Sequence, residues 1–191
     1  MVIEFLMKGP SQFPAVDRQR LVSDERCRRQ PVDVILKRMG LRKGEKVLDL
    51  GAGIGYLSIP MADAGAEVIA VDVQQEMLDG IRERDAGSSR ITLVKAELPF
   101  IPLPDSSADR AVLMNVLHEV EDRAKLAAEV ERVLREGGRL TIIDWQAKAT
   151  ERGPPLHERI PVENAPLIFP FMKLESSYED ENHYHLELRR R

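Results

Sequence analysis

The sequence predicts an α/β fold, one domain in which a mostly parallel sheet carries helices on both faces. Three observations point there. Apolar runs of strand length alternate with segments of helical periodicity, and the connections between them are short. One such run passes directly into Gly51-Ala52-Gly53-Ile54-Gly55, with a glycine at every second position. Near the C-terminal end, two alternating stretches flank a five-residue polar link, the pattern of an antiparallel hairpin. At 191 residues the chain suits one domain with a sizeable core.

The elements follow in order. Val32 to Met39 reads as a helix entered through Pro31 and closed by Gly40. The segment before it, with Gly9, Pro10 and Pro14, reads as irregular chain and as a candidate cover for the site. Lys46 to Leu50 is a buried strand, apolar after Lys46 save for Asp49. Tyr56 to Ala64 reads as a helix. Pro60 requires it to start later, near Leu57, or to kink, since an interior proline costs about 3 kcal/mol.

Glu67 to Val71 is the second strand, followed by Asp72. The next helix, Gln74 to Arg84, carries Met77, Leu78 and Ile81 at helical spacing. Ile91 to Val94 is the third strand, after which Pro99, Pro102 and Pro104 forbid regular helix. Arg110 to Met114 is the fourth strand. Arg123 to Leu134 is a long amphipathic helix, for which Gly137-Gly138 reads as the stop signal. Arg139 to Ile143 is the fifth strand. Five of the twelve prolines fall between Pro154 and Pro170, so a helix there is short or broken. Lys173 to Tyr178 and Tyr184 to Arg189 form the hairpin, joined by Glu179 to His183.

Composition excludes more than it names. A net charge of −4 gives no general attraction to phosphate backbones, so nucleic acid is not an expected partner. No apolar run approaches the roughly 20 residues of a membrane span, and Val2 to Met7, broken by Glu4, is too short for a signal-peptide core. Cys27 stands alone, which leaves no intrachain disulfide and no thiolate metal cluster. A cytoplasmic location is the expectation.

The glycine run is the chemical feature. Glycine lets the backbone turn sharply and approach a ligand closely, and a helix behind the loop would aim backbone N–H groups at it. A dinucleotide fingerprint needs its third glycine three residues after the second; Gly55 follows Gly53 after two, and position 56 is Tyr. Asp49 stands two residues before the first glycine, where an acid suits a cationic ligand better than a pyrophosphate. Asp72, seventeen residues after Gly55, can take a ribose diol or cap the helix that follows.

Asp49-Leu50-Gly51-Ala52-Gly53-Ile54-Gly55 resembles the first motif of class I S-adenosylmethionine-dependent methyltransferases. Three later stretches match that family in order: Asp72; Ala96-Glu97-Leu98-Pro99; and Asn115-Val116-Leu117-His118-Glu119-Val120, where Glu119 replaces a second histidine. The turn Leu134-Arg135-Glu136-Gly137-Gly138-Arg139-Leu140 fits as well. The likeness, to the small-molecule ubiquinone/menaquinone-biosynthesis (type 11) group, covers roughly Val34 to Trp145 and then, weakly, the chain to Arg189.

The resemblance implies a Rossmann-like, seven-stranded sheet with an antiparallel last strand, residues 31–191 forming the cofactor-binding domain. It implies S-adenosylmethionine as cofactor, S-adenosylhomocysteine as product, and in-line displacement of the methyl group by a small-molecule acceptor. Asp49, Gly51, Ala52, Gly53 and Gly55 would meet the cofactor's tail and Asp72 its ribose, with Val73 and Met77 as further cofactor-binding residues. Ala96, Glu97 and Leu98 would lie at the adenine, and Asn115 near the sulfonium. His118, with an ordinary pKa near 6.5, is the candidate base.

Trp145, Tyr178, His157 and Glu158 are candidates for the acceptor pocket. Asp144, Glu119 and Asp122 invite a metal reading, but carboxylates after strands are usually caps or solvated, so no metal is expected. A non-catalytic or regulatory cofactor-binding protein on the same fold, and a nicotinamide-dependent oxidoreductase, stand as alternatives.

Overall fold

The computed structural model describes residues 13–85, 87 and 89–191. Seven strands form one sheet in the order β3-β2-β1-β4-β5-β7-β6. They are β1 (Lys46–Leu50), β2 (Glu67–Asp72), β3 (Ile91–Lys95), β4 (Ala108–Met114), β5 (Leu134–Trp145), β6 (Met172–Glu179) and β7 (His183–Arg190). The first five run parallel, while β7 lies antiparallel between β5 and β6. The expected architecture, antiparallel last strand included, is the observed one.

The helices are α1 (Asp24–Arg29), α2 (Val32–Met39), α3 (Ser58–Asp63), α4 (Gln75–Arg84) and α5 (Arg123–Val133). One face of the sheet packs against α2 and α3 through Ile35, Met39 and Met61 on Val47, Val68 and Val112, and against α4 through Leu78 and Ile81 on Ala70. The other face packs against α5 and a 3-10 turn, Ala165–Ile168, through Leu126, Val130 and Phe169 on Leu48, Leu113 and Ile142. Parallel strands covered on both faces must be apolar on both sides, which explains the short continuous runs in the sequence.

Several boundaries depart from the sequence expectations, each for a physical reason. Gly9 and Pro10 lie outside the described residues. Beyond them the chain ahead of α2 is a 3-10 helix, Ala15–Val22, and then α1, capped by the Ser23 hydroxyl accepting from Arg26 N–H at 3.4 Å, rather than irregular chain. Helix α3 begins at Ser58, two residues later than Tyr56. Pro60 then falls in its first turn, where a missing N–H leaves no bond unmade.

Gly137-Gly138 does not end α5. The helix stops at Val133 and the chain enters β5 at once. Pairing passes from Ala108↔Leu134 to Arg110↔Arg139, so residues 135–138 bulge opposite Asp109 alone. The glycines serve that bulge: a Cβ on Gly138 would sit 2.8 Å from the Arg135 carbonyl oxygen. The proline-rich stretch holds two 3-10 turns, Leu156–Glu158 and Ala165–Ile168.

Candidate active site

Strand order reverses between β1 and β4, and in open α/β sheets ligands bind outside the carboxyl ends of the strands at such a point. A cavity of about 1230 Å³ opens there. His118 and all the residues expected at the cofactor line it except Gly55, whose N–H donates to the Ala52 carbonyl at 3.0 Å and where a Cβ would meet Ile81 and Ile59 at 3.1 and 3.2 Å. Gly55 therefore shapes the turn rather than the cavity wall.

The glycine loop is tied inward. Gly51 and Ala52 N–H groups both donate to the Val71 carbonyl, at 2.8 and 3.0 Å. Gly53 N–H donates to Asp72 Oδ2 at 2.9 Å. The donors expected to face a ligand are instead spent on β2, so the loop is a close-fitting floor and not an anion nest. A pyrophosphate would find little there.

Gly51 adopts φ +73°, and a Cβ on it would stand 2.4 Å from Val116 Cγ2. Gly51→Ala is expected to cost about 3 kcal/mol in chemical denaturation, part from the left-handed backbone and part from the clash. Adding Val116→Ala should recover only the steric part. A second close approach escaped the sequence: Gly80 in α4 lies under the loop, where a Cβ would meet Ile54 Cγ2 at 2.6 Å.

Asp72 joins the loop to α4. Its Oδ1 accepts Gln74 N–H at 2.9 Å while Oδ2 holds Gly53 N–H. The N-cap of α4 is Gln74, so Asp72 is not the cap, yet it braces the residue that is. Burial raises its pKa, and the backbone bonds from Gln74, Gly53 and Val73 oppose that rise.

Asp49 is buried, its Oδ2 accepting from the Ser58 hydroxyl at 2.5 Å. Burial pushes its pKa up to about 6, helped by the Asp72 charge and opposed by Ser58 and Arg26. The stability that goes with its protonated form is fully present below about pH 4 and lost as pH rises through 6. Asp49→Asn, which can still accept from Ser58, is expected to stabilise the ligand-free protein by about 3 kcal/mol at pH 7 and to abolish this slope in urea titrations. An unchanged pH dependence would contradict the assignment.

The segment ahead of α2 closes over these groups. Gln74 Nε2 donates to the Phe13 carbonyl at 2.8 Å, and Arg18 donates to the Glu76 carbonyl at 2.7 Å. Gln30 exchanges side-chain amide bonds with Asn115 at 3.1 and 3.4 Å and accepts the Tyr56 hydroxyl on its carbonyl at 2.6 Å. Asn115 sits at φ +57°, one of the conformations asparagine tolerates better than most residues. Arg26 stacks over the Tyr56 ring at 4.7 Å, and its buried Nε has no hydrogen-bond partner. Burial lowers its pKa to about 10, so it stays charged at neutral pH.

At the other end of the cavity His118 Nδ1 lies 2.7 Å from Asp144 Oδ1, while its backbone N–H donates to Asp144 Oδ2 at 3.2 Å. Trp145 N–H also donates to Asp144 Oδ1, at 2.8 Å. The carboxylate assigns the proton to Nδ1 and leaves Nε2 as the basic nitrogen. Burial would lower the His118 pKa, but the bond to Asp144, its charge, and those of Glu119 and Glu158 prevail and raise it. Burial also raises Glu119, to about 7.

Glu97 lines the cavity from the exposed β3 loop. Trp145 and Glu158 line it too; His157 is 82% exposed and Tyr178 stands on a different cavity, so neither belongs here. Asp122, weighed above as a metal ligand, accepts Lys125 N–H at 3.0 Å and caps α5. Sequence reasoning missed Arg26, Gln30 and His183 as cavity residues.

A sheet in this order, with a glycine-floored cavity at its switch point and acids at the ends of β1 and β2, defines the class of S-adenosylmethionine-dependent methyltransferase folds. Residues 48–142 match the family model described as "Methyltransferase domain", and the chain belongs to that family. It is 38% identical over 102 residues to the demethylmenaquinone methyltransferase of Clavibacter sepedonicus, a match spanning 53% of this chain and 42% of that one. It is 39% identical over 108 residues to an uncharacterized methyltransferase of Mycobacterium tuberculosis, spanning 56% and 42%. The chain thus covers less than half the length of these curated relatives.

Among solved structures it is similar to a SAM-dependent methyltransferase from Aquifex aeolicus. The TM-score is 0.87 at 26% identity, over 94% of this chain and all of that one. Among the described residues no helix is long and apolar enough to cross a membrane.

Proposed function

We propose that this chain transfers a methyl group from S-adenosylmethionine to a small-molecule acceptor. The observation that carries the reading is a single cavity joining the glycine floor and Asp72 at one end to the His118–Asp144 pair at the other. The residues fit the cofactor. Asp49 offers a buried carboxylate to its ammonium, Arg26 an unpartnered guanidinium nitrogen to its carboxylate, and Asp72 a braced carboxylate to its ribose diol. Ala96, Glu97 and Leu98 would border the adenine. When bound, the cofactor supplies a methyl group activated for in-line displacement.

The protein's part is alignment and proton handling. The segment 13–30 acts as the cover, pinned by Phe13, Arg18 and Gln30, and helps hold water away from the reactants. Aligning two reactants supplies much of the acceleration in such a transfer. His118 Nε2 takes the acceptor's proton where the acceptor must lose one, and Asp144 holds the ring and steadies its charge. Trp145, Glu158 and His183 border the acceptor end. A cytoplasmic setting suits the exposed free thiol of Cys27.

Calorimetry with S-adenosylmethionine and S-adenosylhomocysteine tests the cofactor. Label transfer from methyl-labelled cofactor into small-molecule extracts tests the reaction. Absence of binding overturns the whole reading; binding with no transfer into any fraction favours the non-catalytic alternative.

A further inference from the structure

A second cavity, about 220 Å³, lies between α2 and the β6–β7 hairpin. It is well below the roughly 300–1,000 Å³ of drug-sized ligand pockets, so an occupant is compact. His183 and His185 line it while only 4% and 3% exposed. Neither ring nitrogen of His183 has a hydrogen-bond partner; Asp180 Oδ1 is 3.8 Å from its Nδ1, beyond bonding distance. His185 is anchored on one side only, Nε2 lying 2.7 Å from Glu187 Oε1, and its Nδ1 is unpartnered. Arg29 Nε, on the same cavity, is also buried without a partner. Of the eight such atoms among the described residues, these four gather on one small space. Buried polar groups are as a rule hydrogen-bonded, and such a gathering calls for an occupant that supplies the partners.

The charge around the cavity gives the occupant's sign. Two guanidinium groups line it, Arg29 and Arg38, against one carboxylate. That carboxylate, on Asp180, already accepts the N–H groups of Asn182 and His183 at 2.8 Å each. Arg29 is paired with Glu25 at 3.2 Å, and Arg38 stacks 4.6 Å from the Tyr178 ring centroid, a pose that suits a guanidinium whose N–H edge meets an anion. The remaining wall includes Val34, Ile35 and Ile143, so the space is apolar where it is not cationic. We propose that this cavity binds a compact organic carboxylate, its charged end at Arg29 and Arg38 and its body on the apolar wall of α2. The site is separate from the cofactor floor and does not depend on the methyl-transfer reading, although Arg29, Gln30 and His183 border both cavities.

The probe is benzoate, titrated into the cofactor-free protein carrying isotope-labelled histidine. The chain has four histidines, so each imidazole can be followed by NMR. Benzoate is expected to shift His183 and His185 saturably and to leave exposed His157 unmoved. Benzamide, the same shape without the charge, should bind at least about tenfold more weakly. Arg38→Gln, an exposed position, should weaken benzoate about fivefold or more and leave S-adenosylhomocysteine binding unchanged. Equal binding of benzamide, shifts confined to His118, or no saturable shift up to the solubility limit would each overturn the proposal. Displacement of benzoate by inorganic phosphate at equal concentration would make it an inorganic oxyanion site instead. Calorimetry with S-adenosylhomocysteine reads the other cavity independently, so failure of one assignment leaves the other standing.

Discussion

Asp72→Ala is expected to weaken S-adenosylhomocysteine binding about a hundredfold, measured by calorimetry. Two orders of magnitude correspond to about 2.7 kcal/mol, close to two hydrogen bonds to a charged acceptor at about 1.5 kcal/mol each. The carboxylate keeps lone pairs beyond those that accept Gly53 and Gln74 N–H. The same substitution should lower stability by about 1–2 kcal/mol, since Gly53 and Gln74 N–H groups lose their acceptor. Binding and stability are therefore both expected to fall, and the ratio is informative. Asp72→Asn keeps one acceptor oxygen for the loop but loses the charge. It should retain most of the stability and still bind at least about tenfold more weakly. If Asp72→Ala unfolds more easily yet binds normally, the residue is a brace and nothing else. Its raised pKa adds a sign: affinity should begin to fall, as pH is lowered, sooner than for an ordinary aspartate.

The features legible in the sequence are those in which neighbouring residues share one environment. Strands β1 and β2 are buried on both faces, so their burial is written as consecutive apolar letters. The hairpin of β6 and β7 is marked by alternation and a polar link. Asp49, Asp72 and Asn115 were findable because each ends a strand beside the switch point, where position along the chain determines position in the cavity.

The features not legible depend on residues that meet only in three dimensions. Gly137-Gly138 followed a helical pattern and so resembled a helix stop, but a Cβ on Gly138 would stand 3.2 Å from the Asp109 carbonyl oxygen, across the sheet on β4. The inward donation by Gly51 and Ala52 depends on the Val71 carbonyl on the neighbouring strand. Arg26 and Gln30 lie in a charge-dense stretch too short for periodicity to tell which face is buried. His183 read as part of a polar hairpin link, yet it is β7's first residue, its ring tilted against Trp145 with centroids 4.3 Å apart.

The pair formed by His118 and Asp144 shows the same limit, and it carries the largest expected effect on rate. The two residues stand twenty-six positions apart, joined because the turn after β4 and the end of β5 emerge side by side. His118→Ala is expected to lower kcat by about 10²–10⁴, the usual yield of a positioned acid or base, with cofactor affinity nearly unchanged. Asp144→Asn should lower kcat less and also move the pH profile. As a base, His118 works only when neutral, so kcat falls on the acid side below its pKa, which Asp144 holds above the ordinary histidine value. Without that charge the burial of the ring prevails, the pKa drops, and the acid limb moves to lower pH while the plateau falls. Glu119, raised to about 7 in the same cavity, is the competing owner of such a limb. The competition is decided by Glu119→Gln: loss of the limb assigns it to Glu119 and removes His118 from the role of base, whereas a limb that persists there, moved a little to lower pH because the Glu119 charge is gone, and that moves further in Asp144→Asn belongs to the histidine.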